Sequence, residues 1–136
     1  GRNYYSRHDF EAIASDRADA MIAALRANLP NLPGREIEGL TIRAADDFAY
    51  TDPVDGSISE KQGVRILFSD GSRIVLRLSG TGTEGATLRL YLERYAAGPA
   101  GLDLDPQQAL APVIRAAHEL AAIASYTGRT EPNVIS

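Results

Sequence analysis

Two leucine rows flanking one glycine-rich loop constrain this chain most. Leu76 and Leu78 alternate with Arg77 and Ser79; Leu88, Leu90 and Leu92 alternate with Arg89, Tyr91 and Glu93. A period of two is that of a strand, so one strand runs into the loop and another runs out. If both leucine rows face one core, Arg77 and Arg89 stand together on the opposite face, at the mouth of the loop.

The loop reads Ser79-Gly-Thr-Gly-Thr-Glu-Gly-Ala86. Gly80, Gly82 and Gly85 can adopt positive φ and let backbone N–H groups converge on an anion. Ser79, Thr81 and Thr83 add hydroxyl donors. Two guanidinium forks match phosphate oxygens better than an ammonium does. The competing reading is a plain hairpin loop whose arginines are solvated or ion-paired with Glu84 or Glu93. No Lys follows the glycines and no G-x-G-x-x-G opens a helix, so the usual nucleotide motifs are absent.

The segment Arg77–Arg89 with the following Leu-Tyr-Leu-Glu resembles the phosphate-binding loop in the C-terminal domain of the phosphoglucomutase family, within the α-D-phosphohexomutases. The branch is the one that reads R-L-S-G-T-G rather than S-G-T-E-P. Gly1-Arg-Asn-Tyr-Tyr-Ser-Arg-His-Asp-Phe-Glu11 resembles the start of that domain. Tyr50–Ser59, Ser69–Val75, Asp105-Pro-Gln and Thr127-Gly-Arg-Thr130 fit the same pattern, so the likeness covers nearly the whole chain.

The resemblance implies that Arg77, Ser79, Gly80, Thr81, Gly82 and Arg89 bind the non-transferring phosphate of a hexose phosphate. Arg7 is a weaker candidate, equally suited to bracing an interdomain contact or to the plain surface. The implied partners are glucose 1-phosphate, glucose 6-phosphate, glucose 1,6-bisphosphate and the preceding domains of a parent chain. The implied reaction interconverts the two monophosphates through the bisphosphate. Its phosphoserine, Mg²⁺ loop and sugar-reading loop have no counterpart here. The chain alone is therefore expected to be inert, with no catalytic residue, metal or cofactor of its own. A self-contained module for a phosphosugar or other small anion is the alternative.

The chain has 136 residues, room for one domain (1–136) ending in a tail at 129–136. It begins with Gly rather than Met, which suggests a piece of a longer protein. No apolar run approaches the roughly 20 residues of a membrane span, and no signal peptide opens it, so no membrane partner is expected. The net charge is −4, against a nucleic-acid partner. Thirteen arginines stand against Lys61 alone, a bias best explained by a GC-rich genome. The lack of cysteine excludes disulfides and thiol chemistry and fits the cytoplasm.

Along the chain, Ser6 and Asp9 have the form of a helix cap, and Phe10, Ala14, Ala18, Met21, Leu25 and Leu29 recur at helical spacing. Pro30 and Pro33-Gly34 end that helix. Strands are expected at Ile37–Ala44, Gly63–Phe68, Arg73–Leu78 and Thr87–Tyr95. Asp105 and Pro106 open a second helix with Leu110, Val113, Ile114, Ala117, Leu120, Ala121 and Ala124 on its apolar face, kinked at Pro112 and capped by Gly128. The expected fold is α+β, a four-stranded antiparallel sheet with two helices packed on one face, like the TATA-box-binding protein.

One register conflict remains open. A two-residue turn at Asp70-Gly71 sets residue 66 against 75 and puts Val64, Ile66 and Phe68 with the arginines rather than the leucines. Either both faces are partly buried or a bulge shifts the pairing. His8 and His118 read as packed or surface histidines. Asp46-Asp47 and Asp52…Asp55 read as turn residues rather than metal ligands.

Overall fold

The computed structural model describes residues 1–51, 58–79, 85–99 and 104–136. Strand β1 (Arg2–Ile13) leads directly into helix α1 (Ser15–Asn28). After a short turn come β2 (Glu36–Ile37), β3 (Leu40–Thr51), β4 (Ile58–Phe68), β5 (Arg73–Ser79) and β6 (Ala86–Ala96). Helices α2 (Pro106–Ala109), α3 (Ala111–Ala121) and α4 (Ile123–Thr127) precede a last strand, β7 (Val134–Ile135).

Among the described residues the sheet has seven strands, not four, in the order β2-β3-β4-β5-β6-β1-β7. Every pairing is antiparallel. The four expected strands form its consecutive centre, β3 to β6. The other three were hidden in segments without a long alternating apolar run.

The start of the chain departs most from expectation. Ser6 and Asp9 do not cap a helix; they lie inside β1. Tyr4, Ser6, His8 and Phe10 alternate inward and are all buried. Two of these four are polar, which disguises a strand as a cap. Ser6 and His8 are inside because Gln107 meets both: its amide donates to Ser6 Oγ at 2.9 Å, and its Oε1 lies 2.8 Å from His8 Nε2. The helix begins only at Ser15, with Ala18, Met21, Ile22 and Leu25 buried.

The Asp70-Gly71 conflict resolves as a three-residue loop. Ile66 pairs with Ile74 and Val64 with Leu76, so Phe68 stands opposite Ser72. The Phe68 N–H donates to Ser72 O at 2.9 Å and the Gly71 N–H to Phe68 O at 3.1 Å. Gly71 takes φ +92°, the left-handed position such a loop requires, and Asp70 Oδ1 accepts from the Ser72 N–H at 2.8 Å. One extra residue thus returns Val64, Ile66 and Phe68 to the face of Ile74 and Leu76.

All four helices pack on that face. Leu88, Leu90, Ile74, Leu76, Val64, Ile66, Ile42 and Phe10 join Met21, Leu25, Val113, Ala117 and Ile123 in one buried cluster. The expected second helix is cut in three. It starts as read, with the Asp105 side chain accepting from the Gln107 and Gln108 N–H groups and Pro106 in the first turn. It breaks at Leu110 ahead of Pro112, and again at Ala122, whose φ is +50°. Gly128 closes α4 at φ +72°. The tail is an arm laid on the surface, with β7 pairing His8 and Asp9.

Candidate functional site

The face of the sheet away from the helices carries the polar residues in rows that cross the strands. One row runs Asp9, Arg89, Arg77, Gly63, Phe48, each opposite the next in register. The row beside it runs Arg7, Tyr91, Val75, Arg65, Asp46. Opposed residues in an antiparallel pair share a face, with Cβ atoms about 4.5–5.5 Å apart. Arg77 and Arg89 therefore stand side by side, where β5 runs toward the loop and β6 leaves it.

Ser79 ends β5 opposite Thr87 and is half-buried, so it belongs to the same mouth. Gly80, Thr81 and Gly82 lie outside the described residues, as do Thr83, Glu84, Asp52 and Asp55. The return from the loop is described. Gly85 has φ +85° and lies against the end of β1, so close that a Cβ there would sit 2.7 Å from Ile13 O.

That end of β1 is a bulge. Pairing with β6 slips between Phe10 and Ile13, and Ala12 takes φ +55°. Arg129 holds the bulge from the other side: its guanidinium donates to Glu11 O and to Asn133 Oδ1, and reaches Ala12 O at 3.4 Å. The Thr127-Gly-Arg-Thr stretch thus braces the strand against which the loop returns.

Glu93 is not the partner of Arg77 or Arg89; it pairs with Arg73 at 3.0 Å. Asp46 and Asp47 are not turn residues. They lie in β3 on opposite faces, Asp46 in a two-pronged pair with Arg65 (2.7 and 3.0 Å) and Asp47 bonded to Arg26 of α1 at 2.8 Å. The Asp46 hydrogen bond and charge push the Arg65 guanidinium pKa above its usual value. With each carboxylate neutralised by an arginine, neither is set up for a cation. Among the described residues no group of three His, Asp or Glu could hold a metal ion.

Arg7 lies on the open face, but its guanidinium is engaged with Asp9. The Nε–Oδ1 distance is 3.0 Å, and Nη2 donates to Oδ2 at 3.1 Å. Three residues of this site were not singled out from the sequence. Asp9 was read as part of a cap. Phe48 and Gly63 are joined because the Phe48 ring occupies the space a Gly63 side chain would need, next to Arg77. A glycine at the head of an expected strand is the one available signal.

The family model described as phosphoglucomutase-1, C-terminal domain, matches residues 2–133. The chain belongs to that family. It is 57% identical over its full length to a phosphoglucomutase of Rhizobium radiobacter, of which it spans 25%. It is 44% identical to human phosphoglucomutase-1, again spanning 25%. The crystal structure of the exocytosis-sensitive phosphoprotein parafusin, a phosphoglucomutase from Paramecium in its open form, superposes with a TM-score of 0.80 at 43% identity, covering this whole chain and 23% of that one. The chain thus spans about a quarter of its phosphoglucomutase relatives. No helix among the described residues is long and apolar enough to cross a membrane.

Proposed function

We propose that this chain is the phosphate-gripping domain of a parent phosphoglucomutase that interconverts glucose 1-phosphate and glucose 6-phosphate through glucose 1,6-bisphosphate. One observation carries the reading: the in-register opposition of Arg77 and Arg89 at the base of a glycine and threonine loop. Two like charges directly opposed in a sheet repel, and a dianion between them turns that cost into attraction. A phosphate monoester carries nearly two negative charges at neutral pH. Ser79, Thr81 and the Gly80 and Gly82 amides complete the set of donors in this reading.

The grip does not act on the reacting phosphorus. It holds the phosphate that is not being transferred. A substrate that presents either end to one reaction centre must have its other phosphate held in both orientations. Arginine forks and backbone amides read phosphate rather than sugar, so they suit either orientation. Closing the domain over the bound sugar would also exclude water from the transfer. The phosphoryl donor, the Mg²⁺ that supplies its electrostatics and the sugar contacts belong to the rest of the parent chain. A compartment that keeps thiols reduced, the cytoplasm, suits a chain without cysteine.

The test is Arg77→Ala and Arg89→Ala in the full parent enzyme. Each removes charge-assisted hydrogen bonds worth about 1.5–3 kcal/mol, so kcat/KM should fall about 10- to 100-fold per change. Unchanged kcat/KM in both variants would overturn the reading.

A further inference from the structure

Two orphan polar atoms belong to opposed residues in the row that carries the grip. Asp9 and Arg89 are opposed in the β1–β6 ladder, on the face away from the helices. Asp9 is 6% exposed, the one carboxylate among the described residues that the fold buries. Arg7 covers it, but the approach of Arg7 Nε to Oδ1 is off the hydrogen-bond direction. Oδ1 has no aligned donor among the described residues, and Arg89 Nε is buried with no acceptor among them. An unmet acceptor and an unmet donor thus stand on adjacent residues.

We propose that Asp9 is the positioning residue of the phosphate grip. Its Oδ1 takes the Nε–H of Arg89 when phosphate is bound, which fixes the guanidinium plane. Both terminal nitrogens of Arg89 are then turned toward the loop, free for the ligand. Arg7 is not a phosphate ligand in this arrangement. It holds Oδ2, shields the carboxylate from water and offsets its charge.

The local charge agrees. Arg7 offsets Asp9, so the charge of Arg89 is left for an anion. A lone buried carboxylate beside an anion site would weaken binding; one already neutralised by Arg7 can orient a second arginine without repelling the ligand. The Asn133 N–H donates to Asp9 O at 2.8 Å and β7 pairs with Asp9, so the backbone at this residue is fixed on both sides.

The inference rests on the grip reading, and a double-mutant cycle separates the two. In the full parent enzyme, Asp9→Asn, Arg89→Ala and the double variant are compared by kcat/KM for glucose 1-phosphate. Asp9→Asn is expected to cost about tenfold, the effect of a misaligned guanidinium. In the Arg89→Ala background the same change should cost less than about twofold, because there is nothing left to position. Asp9→Glu, with the carboxylate kept but displaced, should restore part of the loss and covers the case in which Asp9→Asn folds poorly. An equal cost of Asp9→Asn in both backgrounds, or no cost in either, overturns the positioning role. A silent Arg89→Ala removes the role of Arg89 on which the positioning rests, and silent changes at both Arg77 and Arg89 overturn the grip itself.

Discussion

Arg77 and Arg89 are direct partners in the β5–β6 ladder, on the face opposite the buried leucines Leu76, Leu88 and Leu90. Like charges so placed cost roughly 0.2–1 kcal/mol in the absence of an anion. Inorganic phosphate should therefore stabilise this chain. At ten times its dissociation constant the gain is about 1.4 kcal/mol, or roughly 5 °C in Tm for a domain of this size. Melts at matched ionic strength check this. The shift should disappear in the Arg77→Ala, Arg89→Ala double variant.

Gly85→Ala should be severe for a position outside the core. The substitution puts an L side chain at φ +85° and its Cβ 2.7 Å from Ile13 O, a backbone atom that can move only if the β1 bulge moves. A cost of about 1–3 kcal/mol is expected. The denaturation midpoint should drop with the m-value unchanged, which distinguishes a local strain from a loss of cooperativity.

Gly63 and Phe48 should behave as a coupled pair. A methyl group at 63 would occupy the place of the Phe48 ring. Gly63→Ala is expected to cost about 1–3 kcal/mol by overpacking, and clearly less where Phe48 is already Ala. Equal costs in the two backgrounds would mean that the ring moves aside freely.

Stability should fall on mild acidification, and His118 should account for part of it. Burial beside the edge of Phe10 lowers the His118 pKa, nearby His8 lowers it further, and Glu131 opposes both. The unfolded chain then takes up the proton first, at about pH 6.5. The contribution of neutral His118 is complete above that pH and is lost as pH drops through the lower folded value. His118→Gln should flatten the descent of Tm below about pH 6.5 relative to the unaltered chain.

The loop arginines were legible in the sequence because alternation survives wherever one face is apolar. Leu76, Leu78, Leu88, Leu90 and Leu92 fix which way Arg77 and Arg89 face without help from distant residues. β1 was not legible. Its inward face includes Ser6 and His8, made tolerable by Gln107, about a hundred residues away, and no local pattern reports such a partner. The same holds for Asp9, whose place beside Arg89 depends on β1 docking against β6. The arm at 134–135 is too short to show any period at all. Long-range hydrogen bonding, rather than propensity, decided these segments.

The loop at 69–71 makes the two sides of the sheet a matter of parity. With three residues there, Arg73 and Arg77 of β5 point outward, while Ile74, Leu76 and Leu78 point inward. A change of one residue would exchange the sides of β2, β3 and β4 relative to the strands on the other side of the turn, setting Val64 and Ile66 among cations and Arg65 in oil. Length variation at this turn should therefore come in steps of two, or be accompanied by a compensating bulge.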